Sequence, residues 1–476
     1  MQLETKDYIH FQAGNHVWEG SANKALPGDL IAYDGTVTLV KRAKHRLVGV
    51  LELASKVRYG ITSHGHPMYR FTPWKESYPP FFVGCSSRDN SNVLAQIEFL
   101  TWDSTCPRGN LIRVIGKCGD LVAEEAALLI HADWRKGLVV NPAELVAPAA
   151  APGILEAFHI DPPGCKDVDD AISIVETGAG TEIHIHIADV ASWLHLNPAL
   201  LMALEGGQTL YRDGEAIRPM FPAALSEGLF SLLPGQERDV LSLVFTGSLT
   251  NPVWRRQRIL ITESYTYETA VASPNAALLT AVTGSSDPHE WIEKLMLLYN
   301  RTAAQRLLEL QKGILRRHSA PDMEKFKAYE ACGFPASLAA AGGEYCLATA
   351  MDTRHWGLDA AVYCHATSPI RRAADCYNQM ILMGYPVNTG VCQELNAIAK
   401  RAKAYERDLA FARVLLGWEG WNKEVDGIAG LGRVWIPAWG KLVKGDAAWS
   451  GPVRLSVFCD AEKRNWKRRL VLNLRV

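Results

Sequence analysis

The chain has no C-x-x-C pair among its ten cysteines, no uninterrupted apolar run of about 18 residues, and no excess of either charge, with 50 Lys+Arg against 51 Asp+Glu. Each absence removes a class of protein. Cysteines scattered without pairing argue against a structural zinc site or a disulfide framework and suit a reducing compartment. Without a long apolar run there is neither a membrane span nor a signal peptide, so an intracellular, cytoplasmic protein is expected. A formal net charge of -1 excludes a polybasic tail or a charge-driven coat on DNA. Internal repeats and low-complexity tracts are also missing. What is present is 476 residues, 48% apolar and 21% charged, enough for about three domains that each bury a core.

Short β-rich runs separated by turn signals fill the amino-terminal part: LIAYDG, VTLVKRA, HRLVGVLELA, NVLAQIEFLTWD and NLIRVIGKCGD. That spacing predicts small antiparallel barrels. The Pro/Ala-rich stretch Asn141 to Gly153 has no periodicity and reads as a linker. After it, ILEAFHID, DDAISIV and EIHIHIADV are strand-like, with Gly178 and Gly180 marking a hairpin. Asn197-Pro198 is expected to begin a helix that Gly206-Gly207 ends. Asp287-Pro288-His289-Glu290 reads as a capping box opening a long helix whose buried face carries Ile292, Leu295, Tyr299, Ala303 and Leu307. Leu395, Ile398, Ala402, Leu409 and Ala412 predict another. The final strands, GRVWIPAWG, PVRLSVF and RRLVLNLRV, surround a basic cluster of Lys463, Arg464, Lys467, Arg468 and Arg469 about Trp466, and a third small barrel is expected.

Two segments carry chemistry. HIDPPGCKDVDDA places Asp161, Asp167, Asp169 and Asp170 beside a Pro162-Pro163-Gly164 turn. Crowded carboxylates are unfavourable unless a cation neutralises them. A solvated acidic loop is the bland alternative, and an EF-hand fails for want of the glycine and the terminal glutamate of its loop. Mg²⁺ fits, since it takes one or two carboxylates and keeps the rest of its shell for water and phosphate; a pair of such ions would activate water on a phosphodiester. The second segment is YCHATSPIRRAADCYNQM. Ser368 and Pro369 are a good cap and first residue, which predicts a helix with Arg371 and Arg372 in its first turn, where cations need an anion nearby. Asp375, four residues on, is expected to hold Arg371, either for phosphate or as a purely structural pair. His184 and His186 face one side of a strand, but without further zinc ligands they read as structural.

Together these segments resemble the RNB family of exoribonucleases, of ribonuclease II and ribonuclease R type. HIDPPGCKDVDDA is similar to its Ile-Asp-x(5)-Asp-x-Asp-Asp-Ala signature and YCHATSPIRRAAD to its Ser-Pro-Ile-Arg-Arg motif. IHIADV, TLYRDGEAIRPMFPAALSEGLFSL, LRRHSAPD and HWGL follow in register. NKALPGDLIAYDG and HRLVGVL resemble the family's two cold-shock barrels, and the carboxy-terminal strands a shortened S1 barrel of the eukaryotic exosome-associated branch, here without a PIN domain. The implied fold class is an α+β catalytic RNB domain flanked by all-β OB-fold barrels. The implied limits are 1–44 and 45–138 for the cold-shock-like barrels, 139–153 for the linker, 154–422 for the RNB domain and 423–476 for the S1-like barrel.

The resemblance implies a 3′ to 5′ hydrolytic exoribonuclease, processive or distributive, that degrades single-stranded RNA to nucleoside 5′-monophosphates. It further implies Mg²⁺, with Mn²⁺ able to substitute, held by Asp161, Asp167, Asp169 and Asp170. Arg371 would sit on the scissile phosphate; Tyr211 would stack on the terminal base; Glu406, Arg372 and Ser368 would contact substrate. A monomer without an obligate protein partner or membrane is expected. The sequence departs from the family at Ala366 and Ala373, where Phe and Tyr are usual, at Glu227 for Asn, and at Gln379-Met380 for His-Arg; Lys312-Gly313 stand where an aromatic partner for Tyr211 is expected. These departures bear on the clamp, and keep two alternatives in view: a catalytically weak RNA-binding member, or a phosphodiesterase acting on short oligonucleotides.

Overall fold

The computed structural model describes residues 1–475 apart from 88, 133, 135–136, 179, 247–251, 418–422 and 465. The chain forms two compact units, one of Met1–Asp133, Lys327–Leu338 and Lys403–Val476, the other of Trp134–Phe326 and Ala339–Ala402.

In the first unit, the opening strands Glu4–Thr5, His10–Ala13 and His16–Glu19 make a meander and Leu30–Tyr33 pairs with Val37–Lys41. Leu3, Phe11, Ala25, Ile31 and Val37 form their shared core. The strands Arg46–Leu51, Met68–Pro73, Phe81–Gly84, Val93–Thr101 and Arg108–Lys117 then close a five-stranded barrel, sealed by a parallel pairing of the third with the fifth. Gly49 is required where two strands press together, because a Cβ there would lie 2.3 Å from the Thr72 carbonyl oxygen. The helix Leu121–His131 follows, capped by Asp120 accepting from the Ala123 amide. The carboxy-terminal strands form a five-stranded antiparallel sheet.

The basic cluster near the carboxyl terminus is divided between one buried arginine and exposed residues that pair with acids. Arg469 is completely buried against Glu124 at 2.6 Å, Arg468 pairs with Glu76 at 3.0 Å, and Lys463 lies 3.6 Å from Asp460. The Trp466 and Lys467 side chains lie outside the described residues.

The second unit is built on another closed barrel, of Leu155–Ile160, Asp170–Thr177, Gly180–Ala188, Glu237–Thr246 and Val253–Tyr265. Its first and last strands pair in parallel, from Leu155↔Ile259 to Ile160↔Tyr265. The alternation in EIHIHIADV works as strand physics requires. Ile183, Ile185 and Ile187 pack against Trp291, Leu295, Tyr299, Ala303 and Leu307 of the helix Pro288–Glu309. The imidazoles on the opposite side are consumed by hydrogen bonds: His186 meets Ser242 and Ser173 at 2.7 and 2.8 Å, and His184 meets Gln257 and Glu182 at 3.0 Å each. With every ring nitrogen engaged, neither is available to a metal.

Three local expectations change. Asp287 caps its helix through the His289 amide, but its own amide donates to the Ser285 hydroxyl at 3.2 Å and not to Glu290, which bonds Lys294 at 2.9 Å, so the capping box is only half made. Asn197 does not cap with its side chain; its carboxamide brackets the Val146 backbone at 2.9 and 3.0 Å. That contact, with Ala151 donating to Asp239 at 3.2 Å, pins the Pro/Ala-rich stretch to the second unit.

Candidate active site

Asp161 lies at the end of the barrel's parallel seam, Asp167 and Asp169 in the loop that follows, and Asp170 at the start of the second strand. Asp161 follows the first strand, and its amide donates to the Tyr265 carbonyl at 3.1 Å, at the end of the parallel closure. His159 Nδ1–H donates to Asp161 Oδ2 at 2.9 Å while its Nε2 accepts from the Ser264 hydroxyl at 2.9 Å. Ser231 fixes the returning loop by accepting from the Val168 amide at 2.9 Å and donating to the Lys166 carbonyl at 2.8 Å. Neither His159 nor Ser231 was singled out in the sequence. His159 lies inside the acidic signature and Ser231 near the end of the TLYRDGEAIRPMFPAALSEGLFSL stretch, but nothing local tied Ser231 to a loop more than 60 positions upstream.

The carboxylates differ in their engagements. Asp167 accepts the Tyr211 hydroxyl, and burial together with that bond holds the phenol well above its usual range. Asp169 is buried with both oxygens spent, Oδ1 on the Ile370 amide at 2.8 Å and Oδ2 on Arg371 Nε at 3.1 Å. Burial pushes its carboxyl up to about 7 even with Arg371 beside it. Asp170 has no hydrogen bond to its carboxylate among the described residues; burial, with Asp161 and Asp169 as like-charged neighbours, holds it well above the carboxylate range.

This is a donor set that fits a hard cation. Among the described residues no three His, Cys, Asp or Glu side chains converge as a ready-made cage. Mg²⁺ does not need one, because it binds through one or two carboxylates and completes its shell with water and phosphate. Asp170, whose carboxylate accepts no hydrogen bond among the described residues and faces Asp161 and Asp169, is the carboxylate most relieved by a cation, with Asp161 and Asp167 beside it.

The arginine segment is arranged differently from its predicted helix. Ser368–Arg371 make a turn, Arg372 takes the cap position with extended backbone, and the helix runs Ala373–Leu382. The delay has a cause: residues 371–373 pair with 207–209, the Thr209 amide donating to the Arg371 carbonyl at 2.9 Å and the Ala373 amide to the Gly207 carbonyl at 2.8 Å. The partner assignment also changes. Asp375 holds Arg372 at 2.9 Å and the Ser368 amide at 2.8 Å, while Arg371 is held by Asp169 and by the Ser368 hydroxyl at 2.9 Å. Asp375 is thus occupied by Arg372 and the Ser368 amide, and Arg371 takes Asp169 instead.

The structure therefore brings Asp161, Asp167, Asp169, Asp170, Tyr211, Ser368, Arg371 and Arg372 into one linked set. Glu406 is exposed on the helix Cys392–Leu416, in the part of it that belongs to the first unit. Some of the unusual residues have structural reasons. Gln379 is buried, accepts from the Val190 and Ala191 amides at 3.0 Å each and donates to the Ala188 carbonyl at 2.8 Å, closing the loop behind Asp189. Ala366 and Ala373 are buried in the core.

The RNB domain matches residues 154–253 and 336–386 of this chain, and the Dis3-like cold-shock domain 2 (CSD2) matches 68–133. The chain is similar to the probable exosome complex exonuclease RRP44 of Caenorhabditis elegans, at 24% identity over 454 residues covering 71% of this chain and 46% of that protein. It is also similar to the exosome complex exonuclease dis3 of Schizosaccharomyces pombe, at 27% over 312 residues covering 45% and 32%. The chain thus spans about half or less of the length of these relatives. Mycoplasma genitalium RNase R, solved with ribose-methylated single-stranded RNA, shares the fold with a TM-score of 0.72 at 16% identity, covering 98% of both chains. Yeast Ssd1, described as a pseudonuclease, shares it with a TM-score of 0.61 at 16% identity, covering 94% of this chain and 70% of that one.

Proposed function

We propose that the chain is a 3′ to 5′ exoribonuclease that hydrolyses single-stranded RNA to nucleoside 5′-monophosphates with Mg²⁺. The observation that carries this reading is the pairing of Arg371 with Asp169 beside the under-neutralised Asp161 and Asp170. Phosphoryl transfer needs that combination: carboxylates for metal on one side of the phosphate, a fixed cation on the other. Asp161 and Asp170, with Asp167 adjacent, would hold the cation, which supplies an activated water and neutralises phosphate charge when bound. Asp169 and Ser368 hold Arg371 through Nε and one terminal nitrogen, leaving its other N–H groups to the substrate. Tyr211, tied to Asp167 by its hydroxyl, sets its ring beside the carboxylates, where a terminal base can stack.

Because Ssd1 shows the same fold without implying activity, the carboxylates and Arg371 and not the fold support catalysis here. Incubating labelled RNAs of graded length with Mg²⁺ and sizing the products tests the reading. A ladder shrinking to mononucleotides is expected; tight binding with no shortening supports the weak RNA-binding alternative, and cleavage of short oligonucleotides alone supports the phosphodiesterase. We further propose that it acts in the cytoplasm as a monomer without an obligate partner, which sedimentation of the active species from cell extract would check.

A further inference from the structure

LRRHSAPD has no assigned part in the site just described. Its Arg316 lies on the strand Ile314–Arg317, directly opposite Tyr345 of the strand Glu344–Leu347. The guanidinium lies over the Tyr345 ring at 4.6 Å from its centre. It also passes so close to Gly343 that a Cβ there would sit 3.1 Å from Nε, so the group is clasped between a ring and bare backbone. Tyr345 in turn bonds His365 Nδ1 at 3.0 Å, and His365 begins the HATSPIRR run that delivers Arg371 and Arg372.

The charges in this corner do not balance. Arg371 has Asp169 and Arg372 has Asp375. Glu344, the acid nearest Arg316 in sequence register, is taken by Arg317 at 2.6 and 2.8 Å. Arg316 is half-buried and has no carboxylate among the described residues, and the buried Nε of Arg372 has no acceptor. Withdrawing a cation from water without a counter-charge is costly, and a site of this kind is relieved by an anion from outside. Burial and the charges of Arg372 and Arg316 hold His365 neutral. His365 spends Nδ1 on the Tyr345 hydroxyl, and no hydrogen bond to its Nε2 occurs among the described residues.

We propose that Arg316, with His365 and Arg372, cradles a second phosphate: the phosphodiester adjacent to the scissile one on a single-stranded RNA. This rests on the reading of the chain as an RNA-processing enzyme and adds to it the residue that sets strand register. Arg316 is a positioning residue here. A bland role is available to it as a strand-to-strand cation–π contact, and the test separates the two.

The full chain in EDTA is titrated with a short single-stranded RNA, unmodified or carrying one neutral methylphosphonate at the linkage next to the terminal one. Wild type, Arg316→Ala and Arg316→Met are compared, the last keeping an apolar contact with Tyr345 in case truncation to Ala disturbs the fold. Losing one phosphate contact should reduce the slope of log K against log salt by about 0.7. The methylphosphonate should weaken wild-type binding by about tenfold and leave the variants' binding unchanged. An unaltered salt slope, or modification and mutation losses that multiply, overturns the cradle. Because this is a binding measurement, its failure alongside intact RNA shortening in Mg²⁺ refutes the cradle alone, whereas absent shortening refutes the nuclease reading and leaves the coupling measurable.

Discussion

If Asp169 acts by holding Arg371, the two should behave as one unit when mutated together. Arg371 spends Nε on Asp169 at 3.1 Å and one terminal nitrogen on Ser368 at 2.9 Å, leaving three of a guanidinium's five donors for phosphate. A preorganised donor acting on transition-state charge is worth about 10² to 10³ in turnover, so Arg371→Ala should lose that much in single-turnover cleavage with little change in RNA affinity. Arg371→Lys should recover at most about a tenth of the loss, since an ammonium cannot span Asp169 and a phosphate at once. Asp169→Asn keeps an acceptor for the Ile370 amide but gives up a charge-assisted bond of about 1.5–3 kcal/mol, or about 10- to 150-fold. The double variant Asp169→Asn/Arg371→Lys should then be no slower than the worse single. Single-turnover rates and equilibrium binding for the four proteins close the cycle. Losses that multiply, together with a raised Mg²⁺ requirement for Asp169→Asn only, would refute the positioning role and make Asp169 a metal ligand. Asp375→Asn is a useful companion, because it should disturb Arg372 and the Ser368 amide and leave the Arg371–Asp169 coupling intact.

Arg469→Met should destabilise the fold by about 3–5 kcal/mol in urea titrations, because it strands a buried Glu124, whereas Glu124→Leu/Arg469→Met should restore or exceed wild-type stability. Burial holds the Glu124 carboxyl above its ordinary range, so the folded chain keeps a proton there that the unfolded chain has lost. Wild-type stability should therefore fall as pH rises through that window, and Glu124→Gln should flatten the fall. Tyr211→Ala should remove about 1–3 kcal/mol of base stacking and lengthen the smallest limit product, while Tyr211→Phe should keep the ladder and slow turnover by losing the bond to Asp167. EDTA should abolish cleavage and spare RNA binding, and Asp170→Asn should raise the Mg²⁺ concentration needed for half-maximal rate.

The signature segments were legible because they concentrate costly residues: four aspartates within ten positions and two arginines ahead of a helix have few bland uses. The long helix Pro288–Glu309 was legible from Asp287 and its apolar face. The barrel beneath the site was not, since VWRRQRILITESY hides its alternation behind arginines that pair with acids across the sheet, as Arg256 does with Asp189 and Asp239 at 2.9 and 2.8 Å. The partner of Arg371 was hidden for a different reason. Local spacing nominated Asp375, but backbone pairing with residues 207–209 unwound the expected first turn and turned the guanidinium toward an aspartate 202 positions away. Interactions chosen by tertiary pairing leave no trace in local spacing.

The parallel seam between Leu155–Ile160 and Val253–Tyr265 dictates when, during the chain's synthesis, its chemistry can come into being. The Asp161 amide has no carbonyl to meet until Tyr265 has been made, and Asp169 stays without its cation until Arg371 has followed. Contacts of such long separation form late and only after the loops between them have been closed. A ribosome carrying a shorter nascent chain thus displays strands and helices but no assembled centre, and whatever chemistry the cluster performs is kept incomplete until most of the chain's own translation is done.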